Sequence, residues 1–313
     1  MNAIAPVFTA TRDLLTGTEW NAAKVRELYH LAADIKSRPD RYRGALGGRV
    51  LALIFEKPSL RTRVTFEVGI QSLGGSSVFL DHTSHRLGER ESIKDVARNL
   101  ERWVQGIVAR TFEQRAIDEL AESAAVPVIN ALSDKFHPCQ ALADFFTLEE
   151  RFGGVRGLKL AYVGDGNNVC HSLLVAGARV GAHVRVATPE GYEPDAEIVA
   201  EARRAARETR AKIEFFHKAE EAVAGAQAVY TDVWASMGQE AEAAAREKIF
   251  APFQVNDALM GLAAPDAVFL HCLPAHRGSE VTDAVIDSPR SIVFDQAENR
   301  LHVQKAILLM LLS

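Results

Sequence analysis

Short apolar runs recur along the chain, each followed by a segment whose apolar residues fall at helical spacing, and this alternation restricts the fold more than any other feature. After a helical pattern from Asn21 to Ile35, the runs are Val50 to Phe55, Ser77 to Leu80, Gly106 to Arg110 and Val126 to Asn130. Strands that are apolar throughout are covered on both faces, and strands separated by helices pair in parallel. A helix from Pro138 to Arg151 then runs into F-G-G-V-R-G at 152 to 157, where glycines break the pattern. The alternation restarts with Leu158 to Val163, Val184 to Ala187, Ile213 to Phe216, Ala228 to Thr231, Val268 to His271 and Ser291 to Phe294. The expected fold is α/β: two tandem α/β domains, each with a mainly parallel sheet flanked by helices, dividing between residues 152 and 153. The last helix carries Val303, Ile307 and Met310 on one stripe, and periodicity does not say where it docks. The alanine-rich, acidic stretch from Ala219 to Ala245 is expected to form a solvated helical surface.

The 313 residues are enough for two domains of ordinary size. Lys plus Arg number 36 against 41 Asp plus Glu, a net charge of -5, so no nucleic-acid partner is expected and local arginines must hold any anion. The apolar stretch Ala306 to Leu312 is too short to span a bilayer, and the first residues lack a signal-peptide pattern. A cytoplasmic protein with no membrane partner is expected. Cys139, Cys170 and Cys272 show no C-x-x-C spacing, which reads as reduced thiols with no metal site.

Five segments carry chemistry. The strand ending at Phe55 leads into E-K-P-S-L-R-T-R, which places Ser59 at the N-cap of a helix. Free backbone N–H groups and the side chains of Ser59, Arg61 and Thr62 there suit a phosphate, although a capped helix with solvated arginines would read the same. In F-H-P-C-Q at 136 to 140, Pro138 fits the first helical position, His137 the cap and Gln140 the third position. Imidazole and amide together can hold a small planar group such as a carboxamide, and His137 alone fits a structural role equally. The turn G-D-G-N-N at 164 to 168 looks like a dinucleotide turn, but Val169 stands where its last glycine would be, leaving Asn167 and Asn168 to offer amides to a polar ligand. The fourth and fifth segments, T-D-V-W-A-S-M-G-Q from Thr231 and L-H-C-L-P from Leu270, also follow strands. Ligands of open α/β sheets sit at the carboxyl ends of strands, so Asp232, Ser236, Met237, Cys272 and Leu273 should converge with Asn168. Asp232 would face an ammonium group. Cys272 could be a nucleophile or a small buried binding residue, and no motif supplies it with a base.

With S-x-R-T-R at 59 to 63, H-P-x-Q at 137 to 140, D-x-x-x-S-M-G at 232 to 238 and H-C-L-P at 271 to 274, the sequence resembles the aspartate and ornithine carbamoyltransferase superfamily over nearly its whole length. The last two motifs are of the ornithine type. The resemblance implies transfer of the carbamoyl group of carbamoyl phosphate to the side-chain amine of L-ornithine, giving L-citrulline without a cofactor. It implies that Ser59, Leu60, Arg61, Thr62, Arg86, Arg110, His137, Gln140 and Arg300 bind carbamoyl phosphate. Asn168, Asp232, Ser236 and Met237 would hold ornithine, Cys272 and Leu273 would serve both, and Arg110, His137, Cys272 and Arg300 would form the catalytic group. It further implies a C-terminal helix, 297 to 313, packed back on the first domain, domain closure on substrate, and a homotrimer. The sequence departs from the commonest pattern at Leu60, often Thr, and at Arg86, often Gln, on a loop that relatives lend to a neighbouring subunit.

Other readings explain fewer residues. A carbamoyltransferase for acetylornithine, succinylornithine or putrescine would leave Asp232 without an ammonium partner. A nicotinamide-dependent dehydrogenase built on G-D-G-N-N does not account for S-L-R-T-R. A ligand-binding protein without activity would have no reason to hold every expected site residue.

Overall fold

The computed structural model describes residues 12–235 and 242–313, so Ser236 and Met237 lie outside the described residues. In the first half, β1 (Val50–Phe55), β2 (Ser76–Asp81), β3 (Gly106–Arg110) and β4 (Val128–Leu132) form one parallel sheet in the order β2-β1-β3-β4. The second half holds β5 (Lys159–Val163), β6 (His183–Ala187), β7 (Ile213–Phe216), β8 (Ala228–Thr231) and β9 (Val268–His271), parallel in the order β7-β6-β5-β8-β9. β3, β8 and β9 are buried along their whole length and β1 is buried after its first residue, whereas the edge strands β2 and β7 are half exposed. The expected α/β class follows from that covering on both faces.

Helices supply the layers. α1 (Ala22–Ser37) starts where the Asn21 side chain accepts the Lys24 N–H at 2.9 Å. α2 (Leu60–Ser72), α3 (Ile93–Leu100) and α4 (Gln114–Ser123) flank the first sheet, and α5 (Pro138–Phe152) packs on α6 (Asn168–Val180) where the two halves meet. α5 ends at Gly153, whose φ of 72° is the left-handed conformation that closes a helix without a Cβ clash. α12, the last helix (Val293–Leu312), returns from β9 to pack on α1, α2 and α5, the first half of the chain, as the resemblance implied. Val303, Ala306, Ile307 and Leu308 are fully buried there in a core shared with Leu28 and Phe66. Between them lie α7 (Ala196–Thr209), α8 (Ala219–Val223), α9 (Ala243–Phe250), α10 (Asp257–Met260) and α11 (Asp283–Ile286).

Three expectations need correction. The strand expected at Val126 to Asn130 begins at Val128, because Pro127 has no N–H to give the ladder and only its carbonyl is used, by the Ile107 N–H at 2.9 Å. No strand forms at Ser291 to Phe294: Ser291 makes an isolated bridge to Phe269, and Val293 and Phe294 open α12. Nor is Ala219 to Ala245 one solvated helix. Ala219, Ala222 and Ala226 are buried against the second sheet, because small side chains let α8 approach β5 and β6 closely.

Ile307→Ala removes a fully buried side chain from α12 and is expected to lower stability by about 2 to 5 kcal/mol. Phe294→Ala on the same helix, 74% exposed, should change it by no more than about 0.5 kcal/mol. Denaturant unfolding of both variants checks the contrast.

Candidate active site

Both sheets place their strand ends around one cavity of about 480 Å³. In the first sheet the chain turns outward in opposite directions from β1 and β3, and the switch between them holds Ser59, Leu60, Arg61 and Thr62 after β1 and Arg110 at the end of β3. The second sheet switches between β5 and β8, which present Asn168 and Asp232. Crevices of this kind open where neighbouring crossovers diverge. α5 adds His137 and Gln140, the turn after β9 adds Cys272 and Leu273, and α12 reaches across with Arg300.

The N-terminus of α2 is the end suited to an anion. Ser59 is its N-cap, accepting the Thr62 N–H at 3.3 Å, and the first backbone N–H groups of the helix have no acceptor within it. The Leu60 side chain is 74% exposed, so this position contributes backbone rather than side chain. Arg300 is nearly fully buried: its guanidinium donates to Gln140 Oε1 and, at 2.9 Å, to Thr62 Oγ1. Arg110 is buried beside it. Burial, with Arg300 and Arg61 nearby, lowers the Arg110 guanidinium to about 10, and burial lowers those of Arg61 and Arg300 as well. The same burial and the three arginines hold His137 well below the ordinary imidazole value, so it is neutral at pH 7. Arg110 Nε, Arg300 Nε and His137 Nδ1 are buried without a hydrogen-bond partner. Buried polar atoms are rarely left so, and the cavity these residues line gathers the positive charge of Arg61, Arg110 and Arg300, which is the complement of a polar anion.

The other half of the cavity is acidic. Asp232 accepts the Asn167 amide at 2.8 Å and the Cys272 thiol at 3.0 Å. Burial and the Asp232 carboxylate push the Cys272 thiol well above its ordinary value, so it stays protonated and lacks the thiolate that a nucleophile requires. The geometry therefore favours the binding role. Asn168 donates to the Ser133 carbonyl at 2.6 Å, linking α6 to the loop before α5. Asn167 is not available to a ligand: its Oδ1 caps α6 by accepting from Val169 and Cys170, and those N–H groups are the ones a dinucleotide pyrophosphate would need. Gly166 belongs to the same turn because a Cβ there would lie 2.3 Å from the Pro194 nitrogen.

Arg86 does not join this cavity. Its guanidinium lies 4.6 Å from the Phe112 ring and 3.5 Å from Glu113, on a loop tied down by Glu56, whose two oxygens accept from Leu87 and Phe112 at 2.7 and 2.6 Å. Sequence reasoning missed Lys57, which lines the cavity with its ammonium 4.5 Å from the Phe112 ring and is buried enough to lower its pKa. It also missed His276 on the rim. Lys57 stands two residues before Ser59, and the cap signal drew attention away from it. Among the described residues, Asp232, His271 and Cys272 could present ligand atoms within 4.8 Å of one another to a metal. Both His271 nitrogens are already engaged, Nδ1 by the Leu273 N–H at 2.9 Å and Nε2 by Glu280 at 3.2 Å, so the set does not fit a resident ion.

Residues 12–150 match the carbamoyl-P binding domain of the aspartate/ornithine carbamoyltransferases, and residues 156–311 match their Asp/Orn binding domain. The chain is 53% identical over 307 residues to the ornithine carbamoyltransferase of Thermococcus kodakarensis, covering 96% of each chain. It is 54% identical over 305 residues to that of Thermus thermophilus, covering 97% of this chain and 98% of the relative. The solved ornithine carbamoyltransferase from Pyrococcus furiosus superposes with a TM-score of 0.94 at 51% identity, over 98% of this chain and 99% of that one. With both halves of the chain matched and its cavity lined by the motifs of the resemblance, the chain belongs to the aspartate/ornithine carbamoyltransferase family.

Proposed function

We propose that this cavity transfers the carbamoyl group of carbamoyl phosphate to the side-chain amine of L-ornithine, giving L-citrulline and phosphate. The observation that carries the reading is that Arg61, Arg110, His137 and Arg300 line one cavity together with the Asp232 carboxylate. Relatives about half identical over their full length carry the ornithine carbamoyltransferase name, which supports ornithine as acceptor. The division assigned to these roles is 1–152 with 297–313, which takes in most of α12, for carbamoyl phosphate, and 153–296 for ornithine.

The α2 N-terminus, with Ser59, Leu60, Arg61 and Thr62, holds the phosphate, while Arg110, His137 and Arg300 donate to the carbonyl oxygen. Asp232 takes the α-ammonium of ornithine, Asn168 and Leu273 complete its surroundings, and Ser236 and Met237 belong to the same half by motif. The uncharged side-chain amine attacks the carbonyl carbon, a C–N bond forms, and charge gathers on the oxygen that the buried donors face. The C–O bond to phosphate then breaks, and the departing phosphate carries off the amine proton. Gln140 accepts from the carbamoyl NH2, and the Cys272 thiol packs beside both substrates. Holding two substrates in register supplies much of the acceleration.

The assembly is a homotrimer of cytoplasmic chains acting in arginine biosynthesis. Among the described residues no helix is long and apolar enough to cross a membrane, and a relative from Pyrococcus furiosus is named as anabolic. Leu60, Val64 and Val68 make an exposed apolar stripe along α2 beside exposed Val78 on the edge strand β2, a surface suited to a neighbouring subunit. The loop bearing Arg86, turned away from its own cavity, then completes the neighbour's.

Arg61→Ala should leave the fold intact while raising the KM for carbamoyl phosphate and lowering turnover by at least about tenfold, because a charge-assisted contact to phosphate is lost. Citrulline formation assayed across ornithine, acetylornithine and putrescine tests the acceptor, and a preference for either of the latter two would sink the ornithine assignment. The wild-type rate should rise with pH from neutral into the alkaline range, because the attacking amine has a reference pKa of roughly 10. His137, held low, adds no falling limb there, and a steady decline over that range would contradict amine attack. For the shared site, Arg61→Ala and Arg86→Ala subunits are dissociated, mixed equally and reassembled. About a quarter of the wild-type activity should return, one intact site per mixed ring, whereas self-contained sites would restore none.

A further inference from the structure

Asp144 is fully buried one turn along α5 from Gln140, and it does not itself line the cavity. Its Oδ1 accepts two amides, Gln140 Nε2 at 2.8 Å and Gln296 Nε2 at 2.7 Å. Each glutamine is in turn committed at its other end. Gln140 Oε1 accepts from Arg300, while Gln296 Oε1 accepts the backbone N–H of His271 at 3.0 Å, and Gln296 Nε2 also lies 3.2 Å from the Tyr230 hydroxyl. His271 directly precedes Cys272, and Tyr230 stands two residues before Asp232. A hydrogen-bonded path therefore runs from Thr62 through Arg300, Gln140, Asp144 and Gln296 to the ends of β8 and β9. Every amide on it is buried and paired, so none can change partner without disturbing the next.

We propose that Asp144 and Gln296 are positioning residues that couple the two halves of the cavity, so that a ligand engaging Arg300 and Gln140 sets the placement of Asp232 and Cys272. A carbamoyl NH2 seeking Gln140 Oε1 competes with Arg300 for it, and the displaced geometry passes to the amide that Asp144 receives. Burial raises the Asp144 carboxyl to about 6, which leaves it an acceptor at neutral pH, able to hold both amides at one oxygen. Gln296 answers on the other side, since tilting its amide moves the acceptor of the His271 N–H. The inference rests on the proposed assignment of the two halves to carbamoyl phosphate and ornithine.

The test uses carbamoyl phosphate and L-norvaline, an α-amino acid with the carbon chain of ornithine and no side-chain amine, so that nothing turns over. Calorimetry on the full chain gives the norvaline Kd with and without saturating carbamoyl phosphate, and the ratio measures the coupling. The wild-type ratio should be at least about fivefold. Asp144→Asn and, independently, Gln296→Met should each bring it towards one while leaving the carbamoyl phosphate Kd within about twofold. A merely structural role would lower the melting temperature or weaken both ligands and leave the ratio alone. The two variants enter the path from opposite sides, so either folded variant decides. An unchanged ratio in a folded variant, or a wild-type ratio of one, overturns the inference while the reading of the cavity stands. If neither ligand binds the wild-type chain, the reading of the cavity fails and takes the inference with it.

Discussion

Positive charge gathered in a dry place is the constraint on which the rest depends. Arg110 and Arg300 are buried and Arg61 is half-buried around the same volume, and no carboxylate salt-bridges any of them among the described residues. Isolated buried charge is costly, so the surroundings must supply polar partners without neutralising it. Thr62 and Gln140 do this for Arg300, and His137 stays neutral in their field. The result is a site already arranged for an anion before one arrives. Such prior arrangement lets donors act on a developing oxyanion without first reorganising.

Two of the helix N-termini that face that volume behave in opposite ways. At α2 the Ser59 cap is long and side-chain donors surround free N–H groups. At α6 the Asn167 carboxamide takes two N–H groups for itself and gives its own amide to Asp232. One helix end is left open and the other is closed, although both follow a strand and a glycine- or serine-bearing turn. The contrast explains why the G-D-G-N-N segment does not act as a dinucleotide turn: asparagine, not the missing glycine alone, uses up the groups that would bind pyrophosphate.

Much of this was legible in the sequence. Fully apolar strands such as Val50 to Phe55 and Val268 to His271 announce themselves because a parallel strand covered on both faces has no polar side. Ser59, His137, Asn168, Asp232 and Cys272 were legible because each directly follows such a strand or opens a helix. Ser291 to Phe294 misled because β-branched and aromatic residues also fit the buried first turn of a helix, and a short window cannot see the nineteen residues after Val293. Asp144 and Gln296 were illegible for a different reason. They meet across 152 positions, and nothing local distinguishes a buried carboxylate on α5 from a solvated one.

The path of α12 has a consequence for the order of synthesis. The helix that fills the core between α1, α2 and α5 and carries Arg300 into the cavity is translated only after both sheets. A nascent chain that has made both sheets still lacks the hydrophobic cover of its first half and one of the guanidinium groups of its anion site. Domains commonly fold in turn as they leave the ribosome, N-terminal first. Here the N-terminal half must wait with an exposed apolar seam, so binding competence appears only once α12 has been made, and a chain stalled before Val293 would be a target for chaperones rather than a weak enzyme.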